Sequence, residues 1–207
     1  MPENKKPRTI SLSLPDITGT KTLEQVLAGR RSQRNFSKSP LKIKQISQLL
    51  WAAQGVSGSR GLRTAPSAGA LYPLEIYVVV GAGDDLAEGI YHYLPHSHAL
   101  RQTQSGDLRK ELCEAALSQA AVENAPATFL ITGIFERTTK KYGQRGLTYV
   151  FMEAGHAAQN LLLQAEALGL GAVPIGAFST KKISQLLDLS AEEQPLYLIP
   201  VGHAAGD

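Results

Sequence analysis

The chain is poor in several things, and each shortage removes a class of explanation. Its 207 residues include one cysteine, Cys113, which rules out an intrachain disulfide and fits a reducing compartment. No apolar run approaches the roughly 20 residues of a membrane span. The opening "MPENKKPRTISLSLPDITGT" lacks the apolar centre of a signal peptide. A cytoplasmic protein with no membrane association is therefore expected. The formal charge excess is only +3, with lysines and arginines scattered along the chain. Neither zinc-finger spacing nor a basic helix followed by heptads occurs, so no nucleic-acid partner is expected.

What is present describes a globular protein. Hydrophobic content of 43% and charged content of 19% are ordinary values, and the length suits one domain with a real core. Residues 1–20, with three prolines and few large apolar groups, read as a loose arm ahead of a single domain at 21–207. Thr22 and Gln25 form a capping-box pattern for a first helix that places Leu23, Val26 and Leu27 on one face and stops at Gly29. "IKQISQLLWAAQG" predicts a second helix, "EIYVVV" a buried strand, and "GIYHYLP" with "HALRQT" a hairpin. "DLRKELCEAALSQA" predicts an amphipathic helix in which Cys113 packs, and "ATFLITGIF" a second buried strand. The longest helix is "YVFMEAGHAAQNLLLQAEALG". A third strand "AVPIGAF", a helix "TKKISQLLDL" and a final strand "LYLIPVG" follow. Helices and strands are mixed without strict alternation, which indicates an α+β fold.

Four attractive motifs fail. Gly81 and Gly83 follow a strand, but Leu86 takes the third glycine position of a dinucleotide fingerprint and a hairpin follows in place of a helix. Glu153 and His156 make the Glu-x-x-His step of di-iron bundles without the second copy such a site needs. His92, His96 and His98 cluster at a hairpin, where solvated histidines are the ordinary outcome; no metal is expected. "APSAGAL" has its serine before a strand, not at the strand-to-helix elbow of a serine hydrolase.

One constellation survives. "RRSQRNF" places Arg30, Arg31, Ser32 and Arg34 just past a helix end, where guanidinium forks and a hydroxyl suit phosphate oxygens. Pro66, Ser67, Ala68 and Gly69 form a low surface that lets a ligand approach backbone closely. Pro174, Ile175, Gly176 and Ala177 repeat that surface at a strand end, where amides can face a flavin ring. A phosphate clamp beside small-residue platforms fits flavin mononucleotide, FMN. Ala154, Gly155, Ala157 and Ala158 let the long helix pack closely against another element or a second subunit.

In order, "RRSQRNF", "LLWAAQG", "RTAPSAGALYPLEIYVVV", "GIYHY", "KYGQRGLTYVFMEAGHAAQNLLLQAEALGLG" and "LYLIPVG" resemble the nitroreductase superfamily, within it the SagB-type, thiazoline-oxidase-like dehydrogenases. The resemblance spans roughly residues 20–202. It implies a mainly antiparallel central sheet flanked by helices, and a homodimer with two FMN sites at the subunit interface. By position it gives Arg31, Ser32 and Arg34, with Arg30, the phosphate and ribityl contacts. It makes Pro66 to Gly69 the segment laid against the partner's flavin, puts Pro174 to Ala177 beside the reactive ring nitrogen, and sets Gln119 near the ring. Lys141 and Tyr142 match an acid-base pair of azoline-oxidising members; the alternative is an exposed basic loop, "ERTTKKYGQRG". Family members often place lysine or arginine after the last strand, where this chain has only His203. Three activities follow as expectations: hydride transfer between NAD(P)H and a small nitroaromatic or quinone acceptor; azoline oxidation in a modified peptide, with oxygen and partner proteins; or flavin binding without turnover.

Overall fold

The computed structural model describes residues 8–81 and 85–205. The first seven residues of the expected arm, and Gly83 of the glycine pair, lie outside the described residues. A seven-stranded antiparallel sheet organises the chain. Its strands are β1 (Thr9–Ser11), β2 (Leu74–Val80), β3 (Gly89–Leu94), β4 (Ala99–Ser105), β5 (Ala127–Ile134), β6 (Gly171–Ala172) and β7 (Glu193–Gly202), in the spatial order β1-β4-β3-β2-β5-β7-β6. Among the described residues seven α-helices flank it: α1 (Leu23–Gly29), α2 (Ile43–Gln54), α3 (Arg109–Ala115), α4 (Ala120–Asn124), α5 (Glu136–Tyr142), α6 (Arg145–Ala167) and α7 (Thr180–Leu187).

The central strands read as continuous apolar runs because both their faces are covered. Ile76, Val78, Phe129, Ile131, Ile199 and Val201 pack with Leu49 and Leu50 of α2 and Ala157 and Leu161 of α6. The alternate residues Val79, Leu130 and Leu198 pack with Leu112 of α3, Val122 of α4 and Ile183 of α7. This period-two alternation fixes the register, since a one-residue slip would exchange the two cores. Cys113 is buried in the second of them.

Four local expectations change. The segment 8–20 is tied down: Thr9 to Ser11 pair with Arg101 to Ala99, and Asp16 exchanges hydrogen bonds with Gln48 through its amide and its carbonyl. The helix expected through "DLRKELCEAALSQA" breaks into α3 and α4, because Leu117 and Ser118 adopt positive φ of 59° and 58°. The apolar period continues across that break, so periodicity alone does not show it. Of "AVPIGAF" only Ala172 lies in a strand, the two-residue β6, with Ile175 bridging Leu198 singly beyond it. Two of the clustered histidines are not solvated. His92 pairs with Glu75 at 2.8 Å, while His98 reaches the hydroxyl of Tyr93 through Nδ1 and both Ser47 Oγ and the Ser13 carbonyl through Nε2. Burial holds the His98 imidazole below the ordinary histidine range, which keeps it neutral in this clasp.

Candidate active site

The arginine cluster begins where α1 ends. Thr22 caps this helix with the expected box to Gln25. Leu23 and Leu27 are exposed while Val26 is buried, so most of the apolar face of α1 has no partner within the chain. Gly29 packs so tightly against Glu166 of α6 that a Cβ there would lie 2.7 Å from its carboxylate. The next residues leave the helix toward the sheet edge, where Ser32 bridges Ala172 of β6 and the Gln33 amide donates to the Ala172 carbonyl. Arg31 curls one nitrogen back onto the Ala28 and Arg30 carbonyls, which α1 leaves without helical donors. Among the described residues Arg30, Arg31 and Arg34 form no ion pair with any acidic side chain. Three guanidiniums on one short segment without counter-charge are the arrangement an anion site needs.

The strand that receives Ser32 leads directly into Pro174 to Ala177. Gly176 has nothing within 4 Å of the place a Cβ would occupy. It opens with Ala154, Phe151, Phe178 and Tyr197 into a shallow groove of about 290 Å³. Gln119 does not point its amide nitrogen into that groove. It donates to the Ala116 and Ala177 carbonyls at 2.8 Å each and so fixes the end of the 174–177 segment. The arginine segment and the 174–177 segment therefore lie along one track, joined through β6.

The second platform is built elsewhere. Gly69, Ala70 and Tyr72 have positive φ of 62°, 53° and 47°. The Tyr72 amide donates to Ser67 Oγ, and the Ala68 amide donates to the Glu153 carboxylate of α6 at 2.9 Å. The basic segment after β5 is the helix α5, not a loop. Its Arg137 bonds the Tyr72 carbonyl and pairs with Glu75 at 2.6 Å, clamping the helix to the platform. Burial opposes the charge on Glu75, but His92 and Arg137 outweigh it and hold this carboxyl below the usual range. Gly146 lets α6 turn back closely, since a Cβ there would lie 2.9 Å from the Thr139 Cα. This geometry delivers Lys141 and Tyr142 to Gly69. A Cβ on Gly69 would stand 2.9 Å from Tyr142 Oη and 3.0 Å from Lys141 Nζ. Tyr149 meets the Tyr142 ring edge-on, and Lys141 Nζ lies 5.4 Å from its centroid.

The structure thus sorts the residues singled out in the sequence into two groups. Arg30 to Arg34 and Pro174 to Ala177 form one; Pro66 to Gly69 with Lys141 and Tyr142 form the other. Glu153, which accepts the Ala68 N–H, and Ala154, which lines the Gly176 groove, leave α6 about 100° apart, so the two small-residue segments meet different faces of this helix. The levels of Glu153 and Glu166 differ by about 20 Å along α6, which separates the platform from the start of the arginine segment.

A family model described as the nitroreductase family matches residues 27–203. The chain belongs to the nitroreductase family. By that membership, with this sheet and its two flanking helical layers, it is a flavin-dependent oxidoreductase. The Methanocaldococcus jannaschii protein that carries the name nitroreductase is 46% identical over 94% of this nitroreductase chain and 96% of its own. A crystal structure from Ralstonia eutropha with the same name superposes at a TM-score of 0.86, with 33% identity over 97% of this chain and 91% of that one. The Escherichia coli microcin synthetase McbBCD complex, solved with truncated pro-MccB17 bound, matches at a TM-score of 0.74 and 26% identity over 99% of this chain and 80% of that chain.

Sequence reasoning missed Glu153 as part of the site. It weighed this residue only as half of a metal motif. The contact that defines it joins positions 85 residues apart.

Proposed function

We propose that the chain is an FMN-dependent oxidoreductase that moves hydride between NAD(P)H and a small organic acceptor of nitroaromatic or quinone type, with each active site assembled from two copies of the chain. The observation that carries this reading is the division of the site: an arginine cluster without ion pairs among the described residues, in line with one small-residue strand end, and a second platform on a different face of α6. Arg30, Arg31, Ser32 and Arg34 would hold the phosphate and ribityl arm, and Pro174 to Ala177 would offer backbone groups to the ring edge. Pro66 to Gly69 of the second copy would close the other face. The exposed apolar residues Leu147, Phe151 and Met152 on α6, with Leu23 and Leu27 on α1, supply a surface for that copy. Bound FMN would supply reversible hydride acceptance and donation. The protein would supply orientation, a dry ring face and proton handling. In this reading the arginine cluster is the main phosphate anchor.

A second reading is oxidation of azoline rings in a modified peptide. Its supporting observation is the placement of Lys141 and Tyr142 over Gly69, where an amine and a phenol close together can take and return a substrate proton. The microcin synthetase likeness supports it too, and this reading requires partner proteins to present the peptide. Both readings require the same cofactor. Protein incubated with FMN and desalted should keep a flavin absorbance band near one FMN per chain; colourless protein after that treatment contradicts both.

A further inference from the structure

Glu153 is 4% exposed, and neither the proposed hydride transfer nor the folding core requires a carboxylate there. Its position on α6 is flanked by Val150, Ala154 and Ala157 of the apolar core, where an apolar residue would cost nothing in solvation. Its polar partners belong to the platform: it accepts the Ala68 N–H and is stabilised by the Ser67 hydroxyl. Ser67 Oγ already accepts the Tyr72 N–H, so its own proton is free to point at Glu153. The other titratable groups near the carboxylate are His156 on the same helix and Arg63 from the loop after α2. Lys141 and Tyr142 of α5 stand across Gly69.

We infer that Glu153 is a positioning residue, a buried carboxylate whose charge-assisted hydrogen bond to the Ala68 amide, beside the Ser67 hydroxyl, sets the platform against which the flavin packs, and which makes flavin retention depend on pH. This rests on the FMN reading above. An ionised acceptor holds a donor more firmly than a neutral one. The platform, with its left-handed residues at 69, 70 and 72, has only a short 3-10 turn at Ala68–Ala70 as regular structure, so the Glu153 contact is one of the few that tie it to α6. Burial pushes the Glu153 carboxyl above the usual range, so the folded chain favours the charged form less than water does. The sign follows from linkage. A carboxyl raised on folding binds more protons folded than unfolded, and stability declines as pH rises through that window. Retention runs the other way, because the ionised form grips the platform. Glu153 therefore trades fold stability for flavin binding, which an ordinary structural residue would not do.

The test is the FMN dissociation constant against pH for wild type, E153Q and E153A, with melting temperatures of the flavin-free proteins. Wild type should lose affinity as pH falls through a transition above the ordinary glutamate range. E153Q keeps one acceptor for Ala68; it should bind about tenfold more weakly at pH 7.5, lack the transition, and melt no lower than wild type. E153A should bind more weakly still. E153Q with wild-type affinity, or with the acid transition intact, overturns the inference while leaving the FMN reading standing. Wild type that binds no FMN at any pH overturns both.

Discussion

The double substitution R31A/R34A is expected to weaken FMN binding by about two orders of magnitude or more. Hydrogen bonds to a charged group contribute roughly 1.5–3 kcal/mol each, and about 1.4 kcal/mol is tenfold in affinity, so loss of one good contact per arginine gives that figure. The fold should survive, because both side chains are exposed and neither forms an ion pair among the described residues. Arg31 does bond the Ala28 and Arg30 carbonyls at the end of α1, and losing that contact should cost under about 1 kcal/mol. A fluorescence titration with FMN, paired with thermal melts, separates the two effects. Raising salt should weaken wild type more than the variant, since phosphate recognition by exposed guanidiniums is screened. Affinity within about threefold of wild type would show that the phosphate sits elsewhere.

A second large effect concerns which copy supplies which part. Lys141 and Tyr142 stand beside the Gly69 platform, which meets a different face of α6 from the Gly176 groove. A catalytic pair of one copy should then act on the flavin anchored by the other. A chain carrying R31A/R34A and a chain carrying K141A/Y142F should each be nearly inactive alone. Co-expressed with different affinity tags and purified as the mixed dimer, they should recover activity. One site then contains all four substitutions and the other contains none, so about half the wild-type turnover per dimer is expected. A mixed dimer as inactive as its parents would place the pair and the anchor in the same copy. Full activity of K141A/Y142F alone would remove the pair from the mechanism.

The parts of this account legible in the sequence are those that local chemistry determines. The capping box of α1, the apolar stripes of α2 and α6 and the unbroken apolar runs of β2 and β5 each encode their own structure within a few residues. The arginine cluster and the two small-residue segments could be found for the same reason. What escaped depends on contacts made far along the chain. Thr9 to Ser11 opens the alternating "TISLSL", a period-two pattern in a proline-bearing segment that reads as a loose arm, and it becomes β1 by pairing with the edge of β4. His92 and His98 look solvated in "HYLPHSH" but meet Glu75 and Ser13, which periodicity does not bring together. The helix α5 is short and basic. Its position is set by Arg137 gripping Glu75 and the Tyr72 carbonyl. The sequence also named Lys141, Tyr142 and Gly69 without indicating that they touch, and that contact is what groups the site residues into two halves.

The central claim is that this site passes hydride through a bound flavin. The most direct measurement is the absorbance spectrum of the FMN-loaded protein under anaerobic conditions, before and after NADPH or NADH, and again after a quinone or nitroaromatic is added. Bleaching of the flavin band by a reduced nicotinamide, and its return with the acceptor, is the predicted result. A bound flavin whose spectrum neither nicotinamide changes would contradict it.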